Sequence, residues 1–434
     1  MNNNAYIGID LGTSGCRAIA IDDHSNIIAN SQLVFQSSHS DSDSSEQDPS
    51  YHWQCVKHLL SELFSLIGES QHYKIQAIAV DATSGSILMT DKLGNPQTPL
   101  LMYNDARAVK QAKLIADIAP AQSGAHGATS GLAKLIYLQQ HNDQTQAPNS
   151  HLLHQADWIN FNLGAPLGIS DENNALKTGY DPVNRCWPNW LNLLTHPAVL
   201  PKVVPPGTVI GLLSVDLCKQ LNLTYRPRIV AGTTDSIAAL MATGAHQLGD
   251  AVTSLGSTLV VKLISDKPIF LPEQGIYSHR LADKWLVGGA SNTGGAVLDK
   301  FFNNEELQFL STLISINNQV PDYYPLLTKG ERFPICDPEL APRLTPRPIS
   351  DVEFLHGMLD GMAKIEQQAY QKLEYAGASS VKSIRTVGGG AVNQVWQAIR
   401  QQHILVPFIS AEHTEAAFGA ACLAKKAMSH SSNF

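Results

Sequence analysis

Near its start the chain runs Tyr6-Ile-Gly-Ile-Asp10-Leu-Gly-Thr-Ser14-Gly-Cys-Arg17-Ala-Ile-Ala-Ile-Asp22. Two apolar, β-prone runs flank a turn of small residues, which predicts a tight hairpin with Gly12 and Gly15 supplying positive-φ conformations. Such a turn aims backbone N–H groups and the hydroxyls of Thr13 and Ser14 at one point, the way a protein grips an anionic oxygen. Asp10 closes the first strand, so its carboxylate faces the same point, most usefully through a bound Mg²⁺. The plainer reading of this stretch is a hairpin capped by an Asp. The device recurs, however. About 240 residues further on, Ala251-Val-Thr-Ser-Leu-Gly256-Ser257-Thr258-Leu-Val-Val-Lys-Leu263 again joins strand to strand through a Gly-Ser-Thr turn. Two such hairpins point to an internal duplication, with a nucleotide in the cleft between two similar domains.

Length agrees with two domains: 434 residues exceed one ordinary core. A formal net charge of −8, with no block of basic residues, argues against nucleic acid or an anionic membrane as partner. Six scattered cysteines without a CxxC pair read as reduced thiols, neither disulfides nor a zinc site. Only Met1 to Ala5 precede the first strand, and no apolar run reaches about 18 residues. The expected location is therefore cytoplasmic, with no signal peptide and no membrane span.

Along the chain, Ser37 to Ser50 reads as a Ser/Asp-rich mobile loop. Trp53, Val56, Leu60, Leu63, Phe64 and Ile67 recur at helical spacing. Ile75 to Val80 forms a strand ending at Asp81, followed by Ala-Thr-Ser84-Gly85, and further strand-like runs end at Asp91 and near Tyr103. Thr129-Ser130 caps a helix, and the irregular stretch from Asp143 to Pro206 suits either a pocket or an elaborate surface. Ile229 to Gly232 is a strand that opens a helix with Asp235 in its first turn. There Asp235 is either a dipole-satisfying residue or a base held ionised. Later come a strand ending at Gly288 to Gly295, a loop-rich middle (Asp322 to Pro348), and an amphipathic helix from about Val352 to Ala376. Gly388-Gly389-Gly390-Ala-Val-Asn393 then follows a strand, letting a flat ligand approach the backbone. An Ala/Gly-rich helix from about Thr414 to Met428 should pack tightly against a neighbour. No Walker P-loop and no GxGxxG occurs. Several of these features, Asp10, Asp81 to Ser84 and Asp105-Ala-Arg107, lie at strand C-termini, where α/β sheets gather ligands.

Together the motifs resemble the FGGY carbohydrate kinases. The likeness runs nearly end to end. It is carried by Gly8-Ile-Asp10-Leu-Gly-Thr-Ser14, Glu46-Gln-Asp48-Pro with Trp53, Asp105-Ala-Arg107 and Lys134-Leu. Ala156-Asp157-Trp158, Ser170-Asp171 to Tyr180-Asp181, and Ala231-Gly-Thr-Thr-Asp235 continue it. Leu255-Gly256-Ser257-Thr258, Gly388 to Asn393 and Glu415-Ala-Ala-Phe-Gly-Ala-Ala421 complete it. The resemblance implies an α/β fold of two ribonuclease-H-like, actin-like ATPase domains with an interdomain cleft. Residues 1–242 would carry the sugar site, 243–414 would bind ATP, and 415–434 would pack back on the first domain. The Asp81-Ala-Thr-Ser84-Gly loop looks closest to the cyanobacterial and plant-type D-ribulose kinases, since typical xylulokinases carry a Gln/His-bearing loop there.

By that resemblance Asp235 would accept the proton of the sugar hydroxyl, and Asp10 would sit near Mg²⁺ and touch the sugar. Thr13, Ser14, Gly256, Ser257 and Thr258 would line the phosphates. Gly389, Gly390 and Asn393 would hold the adenosine, and Ser84 and Asp171 would contact sugar hydroxyls. The implied reaction is transfer of the γ-phosphoryl of Mg·ATP to a ketopentose, D-ribulose before xylulose or another polyol, with domain closure excluding water. Two other classes stand beside it: an actin-like ATPase driving a protein partner, and a sugar-binding regulator without catalysis. No appended peptide-binding domain supports the first, and the presence of both Asp10 and Asp235 opposes the second. Oligomeric state has no signature in the sequence.

Overall fold

A computed structural model describes residues 3–35, 40–41, 44–69, 73–142 and 150–429. The chain divides into two compact units, Met1–Ala242 with Glu415–Phe434, and Thr243–Thr414. In the first, β1 (Asn3–Leu11), β2 (Gly15–Asp22) and β3 (Ile27–Val34) form an antiparallel meander. β4 (Tyr73–Ala82) lies parallel to β1, β6 (Arg228–Val230) lies parallel to β4, and β5 (Val209–Leu212) closes the edge. The sheet order is β5-β6-β4-β1-β2-β3. β1 is apolar on both faces because both are covered. Ile7, Ile9 and Leu11 join the core with Val56, Leu59 and Leu63 of helix α1 (Pro49–Glu69), as its spacing predicts. Tyr6 turns to the opposite side, among Ala417, Ala420, Ala421 and Ala424.

Those alanines belong to the last helix, which explains its small residues. A Cβ on Gly8 of β1 would come within 1.9 Å of the Ala417 carbonyl oxygen, and one on Gly419 within 1.9 Å of the Ala238 carbonyl oxygen. Ala238 lies in α2 (Asp235–Ala242), so backbone-to-backbone packing locks the strand of Asp10 and the helix of Asp235 to one element.

In the second unit β7 (Asp250–Leu255), β8 (Leu259–Ser265), β9 (Tyr277–Leu281) and β10 (Lys284–Ala290) are antiparallel to their neighbours. β11 (Ser383–Val387) runs parallel to β7, and β12 (Phe408–Ile409) parallel to β11. In the order β9-β10-β8-β7-β11-β12 the central scheme of the first sheet recurs: one strand with an antiparallel meander on one side and two parallel strands next to it on the other. The duplication suggested by two short turns is thus present at the level of whole sheets, and each unit has the ribonuclease-H-like arrangement.

The structure corrects three expectations. Ser37 to Ser50 is not one loop: Ser44–Gln47 is a strand paired with Leu100–Leu101, and α1 begins at Pro49, while residues 37–39 and 42–43 lie outside the described residues. The stretch after Asp143, of which 143–149 lie outside the described residues, includes a strand at Ser150–His154 and a helix at Gln155–Leu163. Gly12 and Gly15 also lack positive φ. Gly15 is needed for close approach, since a Cβ there would meet the Leu33 carbonyl oxygen at 2.4 Å.

Candidate active site

Strand register assembles the acidic centre of the first unit. Asp10 and Asp81 are direct partners at the C-terminal ends of the parallel strands β1 and β4. One residue on, Ala82 bridges Thr234, which brings Asp235 to the same end of the sheet. Asp235 is half-buried, with its Oδ1 accepting the Ser236 N–H at 2.6 Å, and its charge acts on both other carboxylates.

Asp10 Oδ1, both Asp81 oxygens, Ser84 Oγ and Thr234 Oγ1 are buried and receive no hydrogen bond from a conventional donor. Burial, and then the charge of Asp10, push the Asp81 carboxyl well above the usual carboxylate range. Burial also raises Asp10, but a hydrogen bond from Asp81 opposes that rise. A protonated Asp81 donating to an ionised Asp10 accounts for both directions. The hydroxyls of Ser84 and Thr234 still lack partners. Buried polar groups in native proteins find partners, so a cluster of unmatched ones is the mark of a polar ligand seat.

A chain of hydrogen bonds, exposed at the hairpin and buried at its inner end, ties this seat to the first hairpin. Gln47 Nε2 donates to the Thr13 carbonyl at 3.1 Å, and His52 Nε2 meets Gln47 Oε1 at 2.5 Å. Gln155 Nε2 contacts His52 Nδ1 at 3.2 Å, while Gln155 Oε1 accepts from Thr83 Oγ1 at 2.7 Å. Burial depresses His52 to about 4, so the ring is neutral. It donates from Nε2 to Gln47 and accepts at Nδ1 from Gln155. The Glu46-Gln-Asp48-Pro motif therefore positions the Thr13 turn, a role that no residue spacing reveals.

Lys134 pins the same loop from below. Its fully buried Nζ donates to the Gly85 carbonyl at 2.7 Å and the Met102 carbonyl at 2.6 Å. Burial lowers its ammonium to about 7. The unfolded chain therefore binds more protons here between about pH 7 and the ordinary lysine value near 10.5, and this group makes stability rise with pH across that window. We expect Lys134→Met to flatten that rise in denaturant titrations at pH 7 and pH 9.5; an unchanged slope would contradict the burial of a titrating Lys134. Asp105 and Arg107 form a clamp nearby, with Arg107 Nε 2.9 Å from Asp105 Oδ2 and Nη2 2.8 Å from Ser44 Oγ.

Asp171 is buried and tied into the framework. Its Oδ1 caps the short helix Glu172–Ala175 by accepting from the Asn173 and Asn174 N–H groups, and its Oδ2 accepts from Asn174 Nδ2 at 2.6 Å. The structure thus gives it a framework task, next to Asn173 Nδ2, which donates to Thr233 Oγ1 at 3.0 Å.

Each hairpin turn is closed by a hydrogen bond from its leading glycine N–H. Gly12 N–H donates to the Gly15 carbonyl at 3.0 Å, and Gly256 N–H to the Thr258 carbonyl at 3.3 Å. Among the described residues the N–H groups of Thr13, Ser14, Ser257 and Thr258 have no protein acceptor. Thr13, Ser14 and Ser257 are exposed.

The second unit holds a cavity of about 670 Å³ lined by Gly256, Ser257, Gly389, Gly390 and Asn393. Its size suits a nucleotide-sized ligand. Leu307 and Ser311 of α3 (Asn304–Thr312) form another wall, which the sequence reading did not include. Asn393 shapes the cavity: its Oδ1 caps α4 (Gln394–His403) through Trp396 N–H, and its Nδ2 donates to Ser311 Oγ at 2.9 Å. A Cβ on Gly389 would meet no atom within 4 Å, and its φ is not positive. Nothing within the fold requires glycine there. Gly389→Val should melt like the parent and raise KM for ATP by about 10-fold, by removing binding common to ground and transition states. An unchanged KM would remove Gly389 from the nucleotide seat.

The model of the N-terminal domain of the FGGY family of carbohydrate kinases matches residues 5–242, and that of the C-terminal domain residues 251–428. A xylulose kinase from Staphylococcus epidermidis is 22% identical over 439 residues, spanning 98% of this chain and 88% of the relative. A gluconokinase from Bacillus subtilis is 21% identical over 440 residues, spanning 92% and 84%. A crystal structure described as a xyloylose kinase from Brucella ovis shares the fold with a TM-score of 0.87 at 23% identity, covering 98% and 91%. Among the described residues no helix is long and apolar enough to cross a membrane. With both units matched by the paired domain models, the chain belongs to the FGGY family of carbohydrate kinases and is a sugar kinase that uses ATP.

Proposed function

We propose that the protein phosphorylates a primary hydroxyl of a ketopentose, converting D-ribulose to D-ribulose 5-phosphate. The observation that carries this reading is the cluster of Asp10, Asp81, Ser84, Thr234 and half-buried Asp235, whose carboxylates and unpartnered hydroxyls suit a small polyhydroxy substrate. Asp235 is the base. It takes the proton of the attacking hydroxyl as the oxygen bonds to the γ-phosphorus of ATP, and ADP leaves with the β–γ bridging oxygen. The transition state is loose, so the remaining residues position and neutralise. The free N–H groups of the two hairpin turns support a role in gripping phosphate oxygens, with the adenosine in the cavity beside Gly389, Gly390 and Asn393. Among the described residues no group of three or more His, Cys, Asp or Glu forms a metal cage. Asp10 nevertheless fits Mg²⁺ carried by ATP: its Oδ1 has no conventional donor, and Mg²⁺ is commonly held by one or two carboxylates plus phosphates and water, supplying charge neutralisation when bound.

D-Ribulose is favoured by the loop that places Asp81 and Ser84 where typical xylulokinases carry Gln and His. D-Xylulose is the second reading, because similar proteins include a xylulose kinase. The deciding experiment follows ADP release with Mg·ATP and D-ribulose, L-ribulose, D-xylulose, L-xylulose, ribitol, glycerol or no sugar. Strong stimulation by D-ribulose alone supports the first reading. Preference for D-xylulose overturns it in favour of the second.

A further inference from the structure

The acidic cluster is rich in acceptors and poor in donors. A ketose carbonyl can only accept a hydrogen bond, so it needs a donor that the carboxylates do not provide. Two cations act on these carboxylates, Arg17 at Asp10 and Lys177 at Asp235. Arg17 is engaged: it pairs with Glu415, and its Nη2 donates to Gln32 Oε1 at 2.8 Å. Lys177 is not. Its Nζ gives one N–H to the Ser84 carbonyl at 3.2 Å, and among the described residues its other two N–H groups have no acceptor.

Its placement is set from behind. Lys177 lies in the single turn Leu176–Thr178, and the next side chain is anchored by Thr178 Oγ1 to buried His154 Nε2 at 3.0 Å. The other nitrogen of that ring is held by Asp157 Oδ2 at 2.7 Å and Ser170 Oγ at 2.9 Å. The lysine stem runs along the sugar loop, where a Cβ on Gly85 would come within 3.2 Å of Lys177 Cδ. Anchored backbone, packed stem and half-used ammonium all face the loop that carries Ser84.

We propose that Lys177 is a specificity-determining residue whose ammonium donates a hydrogen bond to the carbonyl oxygen of the ketose, so that this enzyme prefers a ketose to the corresponding polyol. The proposal rests on the sugar-kinase reading above and names the group that recognises the carbonyl. A hydroxyl at the same carbon depends less on Lys177, because it can rotate and donate to a carboxylate.

The test measures KM for D-ribulose, the inhibition constant of ribitol against it, and KM for ATP, in the parent, Lys177→Met and Lys177→Arg. We expect Lys177→Met to raise KM for D-ribulose by about 10-fold or more, since a hydrogen bond from a charged donor is lost. Ribitol inhibition should weaken less than about 3-fold and KM for ATP should hold. Lys177→Arg should recover part of the loss. Equal weakening of ketose and polyol, or no weakening, overturns the proposal. If Lys177→Met does not fold, Lys177→Leu, which also lacks a donor, is read the same way. If the parent turns over D-xylulose and not D-ribulose, the D-ribulose reading has failed on its own, and D-xylulose with xylitol provides the same comparison.

Discussion

Asp235→Asn should fold like the parent and lose at least about 10² in kcat, the lower end of what a positioned general base contributes. The fold should survive because the side chain serves the framework locally: Oδ1 accepts the Ser236 N–H at the start of α2, and an asparagine Oδ1 can do the same. The packing that positions α2 comes instead from Gly419 against Ala238, which the substitution leaves alone. KM for ATP should change little, because Asp235 is not among the residues that line the cavity proposed for the nucleotide. Turnover near the parent's level in a folded Asp235→Asn would remove Asp235 from the role of base.

The second large effect is on stability. Glu366 and Arg400 form an ion pair that is almost wholly buried, with Arg400 Nε 2.6 Å from Oε2 and Nη2 2.7 Å from Oε1. The pair is completed by Thr253 Oγ1, which donates to Glu366, and by Thr386 Oγ1, 2.9 Å from Arg400 Nη1. Thr253 and Thr386 lie on β7 and β11, the strands that lead into the Gly256 turn and the triple-glycine turn, so the ion pair supports the two turns proposed to hold the nucleotide. Glu366→Ala leaves a buried guanidinium without its counter-ion and should destabilise the second unit by about 3–5 kcal/mol. The two units need not melt together, so a calorimetric scan that resolves separate transitions is the right readout. A shift in neither transition would mean that solvent reaches Arg400. Replacing both partners by apolar residues should cost much less than Glu366→Ala, because no uncompensated charge remains.

Local chemistry made much of the architecture readable. Helix α1, the helix from Asp351 to Tyr375 and the Ala/Gly-rich last helix (Ala416–Ser429) all carry their packing faces in their residue spacing. Asp10 and Asp235 stood out because strand ends and helix starts leave recognisable residues in order along the chain. What escaped the sequence depends on register and long-range contact. Asp81 matters as a carboxylate because β4 sets it opposite Asp10. Lys177 matters because Thr178 is anchored to His154 in another segment. The link from Thr13 through Gln47, His52 and Gln155 to Thr83 joins residues that no periodicity connects. Gly12 and Gly15 mislead for a related reason: a glycine in a turn suggests unusual φ, yet Gly15 is required by the approach of β3, and a Cβ on Gly12 would come no nearer than 3.7 Å to its neighbour, the Gly15 carbonyl oxygen.

The most direct test of the account follows the γ-phosphoryl group itself. Mg·ATP labelled at the γ-phosphate is incubated with the protein, with and without D-ribulose, and the label is traced. The account predicts that label appears as a phosphoester on the terminal carbon of the ketose, in equal amount to ADP, with almost none released as inorganic phosphate when sugar is absent. Rapid release of inorganic phosphate without sugar, and no label on the ketose, would contradict it.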